Sequence, residues 1–136
     1  AKTVNFRDVG VIFGRPLSGF AEGDDVVKIT PMSDKITSKA GADGEVVRSI
    51  NADDRHTIEI KLLETSPSSA YLNGVQIADE QSGKGILPFS VTNFATGESY
   101  TSANAWISKK PEIPKGTNAN EVVWTLEAES LVRVVV

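Results

Sequence analysis

Gly85-Ile86-Leu87-Pro88-Phe89-Ser90-Val91-Thr92-Asn93-Phe94, and shortly after it Gly97-Glu98-Ser99-Tyr100-Thr101-Ser102-Ala103-Asn104-Ala105-Trp106-Ile107, is the stretch whose reading decides the fold. Both runs are rich in β-branched and aromatic residues, and a short turn containing glycine separates them, which is the pattern of two neighbouring strands. Alternation sends Leu87, Phe89, Val91 and Trp106 towards a core and Ser90, Thr92, Ser99 and Thr101 the other way. A strand pair with one apolar and one hydroxyl-rich face needs water on its second side, as antiparallel sheets allow.

Similar runs recur along the chain, at Val9 to Phe13, Val26 to Thr30, Glu45 to Ile50, His56 to Leu63 and Val122 to Val136, with Gly14, Pro16 and Pro31 as interruptions. Asp34 to Ser38 extends the second of them as a ribbon. Asn51-Ala52-Asp53-Asp54 reads as the polar connection of a hairpin between 45–50 and 56–63. In the latter, Ile58, Ile60 and Leu62 share a core face, opposite Thr57, Glu59 and Lys61, whose charges make an ordinary solvated face. Val122, Trp124, Leu126 and Ala128 repeat the alternation, so the expected core is Ile58, Ile60, Leu62, Phe89, Trp106, Trp124 and Leu126. The apolar run Leu131 to Val136 would pair uncontrollably as a free edge, and needs cover from its own sheet or from another copy.

Between the strands, Ser66 to Glu80 carries two conflicting signals. Ser66-Pro67 is a good helix start, and Tyr71, Leu72, Val75 and Ala78 fall on one helical face. Against this, Asn73-Gly74 between apolar residues is a hairpin signal, and glycine inside a helix costs about 1 kcal/mol relative to alanine. Local chemistry favours the helix by a narrow margin.

The chain of 136 residues suits one domain, expected to span 1–136 without a linker. The absence of cysteine excludes disulfides, thiolate metal sites and cysteine nucleophiles. A net charge of -4 argues against a protein that grips nucleic acid through its phosphates. No apolar run approaches the roughly 20 residues that span a bilayer, and Ala1-Lys2-Thr3-Val4-Asn5 lacks the layout of a secretory signal, so synthesis in a cytosol and no stable membrane association are expected.

Catalysis finds little support. The single histidine, His56, follows Asp53 and Asp54, but no G-x-S-x-G elbow accompanies it, and a lone histidine at a strand start is more often a capping residue. The pairs Asp24-Asp25 and Asp53-Asp54 are ordinary turn chemistry, and the calcium-loop spacing is absent. Ser82-Gly83-Lys84-Gly85 lacks the earlier glycine of a phosphate loop, where Ala78 stands, and reads as a flexible connection. Neither a catalytic site nor a cofactor or metal site is expected.

The order and spacing of several pieces carry a resemblance: the Thr65-Ser66-Pro67 helix start after a hydrophobic strand, Gly85-Ile86-Leu87-Pro88-Phe89, Ala105-Trp106-Ile107 before Lys109-Lys110-Pro111, and Val123-Trp124-Thr125-Leu126-Glu127-Ala128. From about Val26 to Val136 the chain resembles the structural proteins of the inner tail tube of contractile-tailed bacteriophages, a family that shares its fold with the tube protein of type VI secretion systems. The resemblance implies an all-β molecule with one helix: a β-barrel-like sandwich of two antiparallel sheets plus a flanking α-helix at 66–80. It further implies six copies closing into a ring whose inner sheets join into one barrel, and rings stacking into the conduit for double-stranded DNA ejection.

On this resemblance the hydroxyl face of Ser90, Thr92, Ser99 and Thr101 becomes the lumen wall, where lysine and arginine would hold passing phosphates. The stretch 31–45, with Ser33, Asp34, Lys35, Ser38, Lys39, Asp43 and Gly44, becomes an extended loop reaching the next ring. Residues 1–8 form an N-terminal arm, and 131–136 a C-terminal strand at an intersubunit contact. The implied partners are further copies of the chain, the tail sheath, the tape measure, the baseplate and the tail terminator, with DNA passing only transiently. The implied location is the virion tail, after synthesis in a host bacterial cytoplasm. The alternatives are a soluble β-sandwich module that binds carbohydrate or another small ligand, and a small hydrolase built on His56.

Overall fold

The computed structural model describes residues 9–21, 26–94, 97–111 and 121–135. β1 (Val9–Phe13) turns at Gly14 into the short β2 (Arg15–Pro16); β3 (Val27–Pro31), β4 (Ile36–Ala40), β5 (Val46–Ile50) and β6 (His56–Leu63) follow. After the helix α1 (Pro67–Ser82) come β7 (Leu87–Asn93), β8 (Glu98–Lys109), β9 (Glu121–Ala128) and β10 (Val132–Val135). The molecule is therefore mostly β with one helix and two antiparallel sheets, as expected.

Eight strands form one sheet in the order β2-β1-β7-β8-β9-β6-β3, with β10 also paired to β8, while β4 and β5 make a separate ribbon. The twelve-residue β8 is the organising element. One of its edges takes β7, and the other is shared by β10 opposite Glu98 to Thr101 and β9 opposite Ala105 to Lys109. Val11, Phe13 and Phe89 on one side of this division join Ile58, Ile60, Leu62, Trp124 and Leu126 on the other in a single core, so the sheet is folded over on itself into two walls. Both walls of the sandwich thus belong to one sheet. It stops short of a closed barrel, because β2 and β3 terminate the strand order. Past β2 the chain crosses between walls: Leu63 N donates to Gly19 O at 2.9 Å and Ala21 N to Lys61 O at 3.0 Å.

α1 forms because its first turn is well capped. Ser66 accepts a hydrogen bond from Ser68 N, Pro67 occupies the first helical position, and Gly83 ends the helix at φ 70° with its N–H on Asp79 O. The helix buries Leu72 completely and fixes Tyr71 by a 2.9 Å hydrogen bond to Phe13 O. Gly74, the residue that argued for a hairpin, has open space around it and opposes no packing. The 82–85 stretch is a fixed cap rather than a flexible connection: Gly85 N donates to Asp79 Oδ1 at 3.2 Å, so close that a Cβ on Gly85 would collide with the Asp79 side chain.

Two expectations need correction. β5 does not form a hairpin with β6; it pairs with β4 through Ala40↔Val46 to Ile36↔Ile50, while β6 is flanked by β3 and β9. The tip Gly41 to Glu45, with Gly44 at φ 85°, closes that ribbon. Trp106 does not lie in the core. The register steps from Phe89↔Ser102 to Leu87↔Ala105, so that Pro88 alone on β7 opposes Ala103 and Asn104 on β8, a bulge that inverts the alternation beyond it. Ala105 and Ile107 consequently turn inward, and Trp106 is left half-buried on the outer face beside Glu127.

Candidate assembly surfaces

The outward face of the wall made by β1, β7, β8 and β10 follows directly from the register. One row across it is Ile12–Ser90–Thr101–Val132 and the next is Gly10–Thr92–Ser99–Val134. Residues directly opposite in antiparallel strands share a face, so Ser90, Thr92, Ser99 and Thr101 form one hydroxyl patch at its centre. Ile12, Val132 and Val134, at 42%, 53% and 43% exposure, flank it. Sequence reading missed these flanking aliphatics, although Val132 and Val134 alternate with Arg133. With Pro88 and Ala103 added, the outward face carries no charged side chain among the described residues.

Charge on this wall points the other way, into the open end of the sandwich. Glu98 accepts hydrogen bonds from Tyr100 at 2.7 Å and Arg133 at 2.6 Å. The Tyr100 hydroxyl first, and then Arg133, hold the Glu98 carboxyl below its usual range, and the same Tyr100–Glu98 bond pushes the phenol up. The edges of this wall are partly open. Among the described residues β10 pairs only with β8, and β2 covers the outer edge of β1 at Ile12 and Phe13 but leaves Val9 and Gly10 without a strand partner.

The opposite wall differs in kind. Its outward rows are Thr30–Thr57–Glu127–Trp106 and Lys28–Glu59–Thr125–Lys109, with Lys28 directly across from Glu59. Opposite charges in that position support strand pairing. Its free edge, β3, is blunted by Lys28 and by Pro31.

The β4–β5 ribbon projects from this second wall, and every one of its ten residues is exposed. Of the residues expected to reach another ring, Ser38 and Lys39 lie on β4, Asp43 and Gly44 at the tip, and Ser33, Asp34 and Lys35 at the base. The base is a polar clasp. Asp53 accepts from Ser33 Oγ at 3.1 Å and from Arg55 Nε at 2.9 Å, Asn51 Nδ2 donates to Ser33 Oγ at 3.3 Å, and Arg55 Nη1 reaches Glu127 on β9 at 3.2 Å. The side-chain and backbone hydrogen bonds from Arg55 hold the Asp53 carboxyl well below the usual carboxylate range, and Asp53 raises the guanidinium in turn. The hairpin connection expected at 51–54 is this clasp.

Among the described residues no catalytic constellation assembles. His56 Nδ1 lies 3.0 Å from Asp54 O, a backbone cap with the proton placed on Nδ1, and among the described residues no group of three His, Asp or Glu converges as a metal site. Asp24 and Asp25, like the arm 1–8, lie outside the described residues. Of the expected core, Ile58, Ile60, Leu62, Phe89, Trp124 and Leu126 are buried and Trp106 is not.

A family model described as "Bacteriophage PhiTE tail tube protein" matches residues 5–134. No curated protein matches the sequence. Among solved structures, the fold is similar to a chain of the anti-feeding prophage tube-terminating cap, at TM-score 0.69 and 12% identity over 100% of this chain and 93% of that one. It is similar to the sheath/tube terminator of an extracellular contractile injection system, at TM-score 0.60 and 12% identity over 98% of each chain. A chain from the sheath-tube complex of the same kind of system matches at TM-score 0.58 and 13% identity, over 94% of this chain and 88% of that one. At these identities the likeness is one of fold.

Proposed function

We propose that this chain, which belongs to the bacteriophage PhiTE tail tube family, is a wall subunit of the inner tube of a contractile tail, closing with five further copies into a ring and stacking into a conduit for double-stranded DNA. Family membership makes the protein a structural one and not an enzyme. The observation that supports the finer reading is the outward face of β1, β7, β8 and β10, uncharged among the described residues, lying between the outer edge of β10 and the part of β1, Val9 and Gly10, that β2 leaves uncovered. Pairing β10 of one copy with the Val9 end of β1 of the next, beyond β2, covers what is left of both edges and extends the hydroxyl face around a ring. Six copies at -4 each would carry -24, and with no lysine or arginine on the described lumen face, sliding phosphates would meet nothing that holds them. The sheath, tape measure, baseplate and terminator are the partners such a tube requires, and the tail of a particle made in a bacterial host is its place.

Electron microscopy of the purified chain tests this reading. Annular or tubular particles with a central hole are expected. A monomer at every concentration that binds a carbohydrate saturably would overturn it.

A further inference from the structure

At the Val9 end of the first wall the outward face carries an exposed aromatic. Phe94, directly after β7, is 70% exposed, and its ring lies across Gly10 of β1, where an added Cβ would come within 2.9 Å of the ring's Cε2. Gly10 belongs to the stretch of β1 that β2 leaves uncovered. On the other side of the wall, Val132 and Val134 of β10 stand 53% and 43% exposed on the same outward face. An exposed ring over an edge glycine and exposed valines on the opposite edge are two halves of an apolar contact, and β7 and β8 keep them apart within one subunit.

The strand ladder shows which backbone groups face the two edges. Leu17 N donates to Val11 O at 2.9 Å across the outer edge of β1, so Val9, two residues away, turns its N–H and C=O to that same edge. Gly10 and Ile12 then bond to Thr92 and Ser90. By alternation, Val91 and Phe89 bond to Tyr100 and Ser102, and Ser99 and Thr101 bond to Val134 and Val132. Arg133 is thereby left with its N–H and C=O turned to the outer edge of β10. The four strands β1, β7, β8 and β10 alternate in direction, and a rotation about a ring axis preserves direction. An even number of alternating strands therefore brings β1 of the next copy antiparallel to β10.

Carried straight on, the row Ile12–Ser90–Thr101–Val132 would set Val132 across from Ile12 of the next copy, where Pro16 of β2 already lies. A step of one residue would put the hydroxyl face of one copy beside the core face of the next. A step of four would carry Val132 and Arg133 past Val9. We infer that β2 is a register stop, and that β10 joins β1 of the next copy two residues off the straight row, Arg133 across from Val9 and Val132 across from Gly10 against the Phe94 ring. This rests on the ring reading above and specifies the register of its joint. Rows run straight across each subunit, so the stagger that a closed barrel needs comes from the joints, at about 7 Å each.

Because the chain has no cysteine, designed pairs report the register without background. Val132 and Gly10 of the next copy form a non-hydrogen-bonded pair, whose Cα separation of about 4.5 Å suits a disulfide. Gly10→Cys combined with Val132→Cys is expected to give a ladder of covalent multimers when assembled particles are oxidised. Ile12→Cys combined with Val132→Cys, which reports the straight register, should give none. Where a side chain at Gly10 displaces the ring and blocks assembly, Val9→Cys with Arg133→Cys reports the same register from the inner face. Phe94→Ala should raise the protein concentration at which particles dissociate about tenfold, while the urea midpoint of the separate subunit stays close to that of the unaltered chain. A ladder from the Ile12 pair, particles that neither of the other pairs cross-links, or Phe94→Ala particles as stable as unaltered ones overturn the joint and leave the ring reading standing. If the unaltered chain forms no rings at all, the ring reading fails and the register fails with it.

Discussion

The two walls of this sandwich share one core and one strand, β8, yet their outer faces differ in every respect that matters for assembly. Among the described residues the β1-β7-β8-β10 wall shows hydroxyls and aliphatics without charge, and it leaves β10 and the Val9 end of β1 without a further strand partner. The β3-β6-β9 wall pairs Lys28 with Glu59, blunts its edge with Lys28 and Pro31, and carries the clasped ribbon. Edge protection is what keeps a sheet from unwanted pairing, so its presence on one wall and its weakness on the other is the difference from which the proposed ring follows. The location of charge makes the same division: Glu98 and Arg133 on the first wall turn inward, whereas Glu59, Lys61 and Glu127 on the second face out.

The shared core sets the largest effect. Phe89→Ala, which empties a site 1% exposed, should cost roughly 3–5 kcal/mol in urea denaturation, and Trp106→Ala less than half of that because the bulge turns Trp106 outward. Equal losses would mean that the bulge is misplaced and the two faces exchanged. Lysine tests the faces directly. Assembled particles of Ser90→Lys, with about six lysines per ring, should bind double-stranded DNA with an affinity that falls about a thousandfold between 50 and 200 mM salt. Thr125→Lys on the other wall should leave the lumen as inert as before; DNA retention by both variants alike would erase the distinction between the walls.

A smaller difference should appear with pH. Asp53 is held below its unfolded value, so its contribution is fully present above about pH 4 and is lost as pH falls through the depressed folded value. The gap in thermal midpoint between the unaltered chain and Asp53→Asn should therefore be visible at pH 6 and shrink below about pH 4. Ser90→Ala, on a face without titrating groups, should show a gap that does not change with pH.

How much of this was legible in the sequence depended on burial. Ile58, Ile60 and Leu62, and likewise Trp124 and Leu126, alternate because one side of each strand meets the core, and alternation read them correctly. The helix was legible through Ser66 and Pro67, once Gly74 proved to face open space. The ribbon was not. With all ten residues of β4 and β5 exposed, no buried face fixes a pattern, and the partner of β5 depends on the tip at Gly41 to Glu45. Trp106 was misread because a bulge leaves no composition signal: Ser102 and Asn104, which fill it with their own hydrogen bonds, look like any polar pair on an outer face.

A side-chain-resolution electron microscopy map of the assembled particle tests the division between the two walls most directly. Ser90, Thr92, Ser99 and Thr101 of every copy are expected to line the central hole, with β10 of each subunit hydrogen-bonded to β1 of its neighbour. A hole lined instead by Lys28, Glu59 and Thr125, or rings in which the edges of β1 and β10 face solvent, would contradict it.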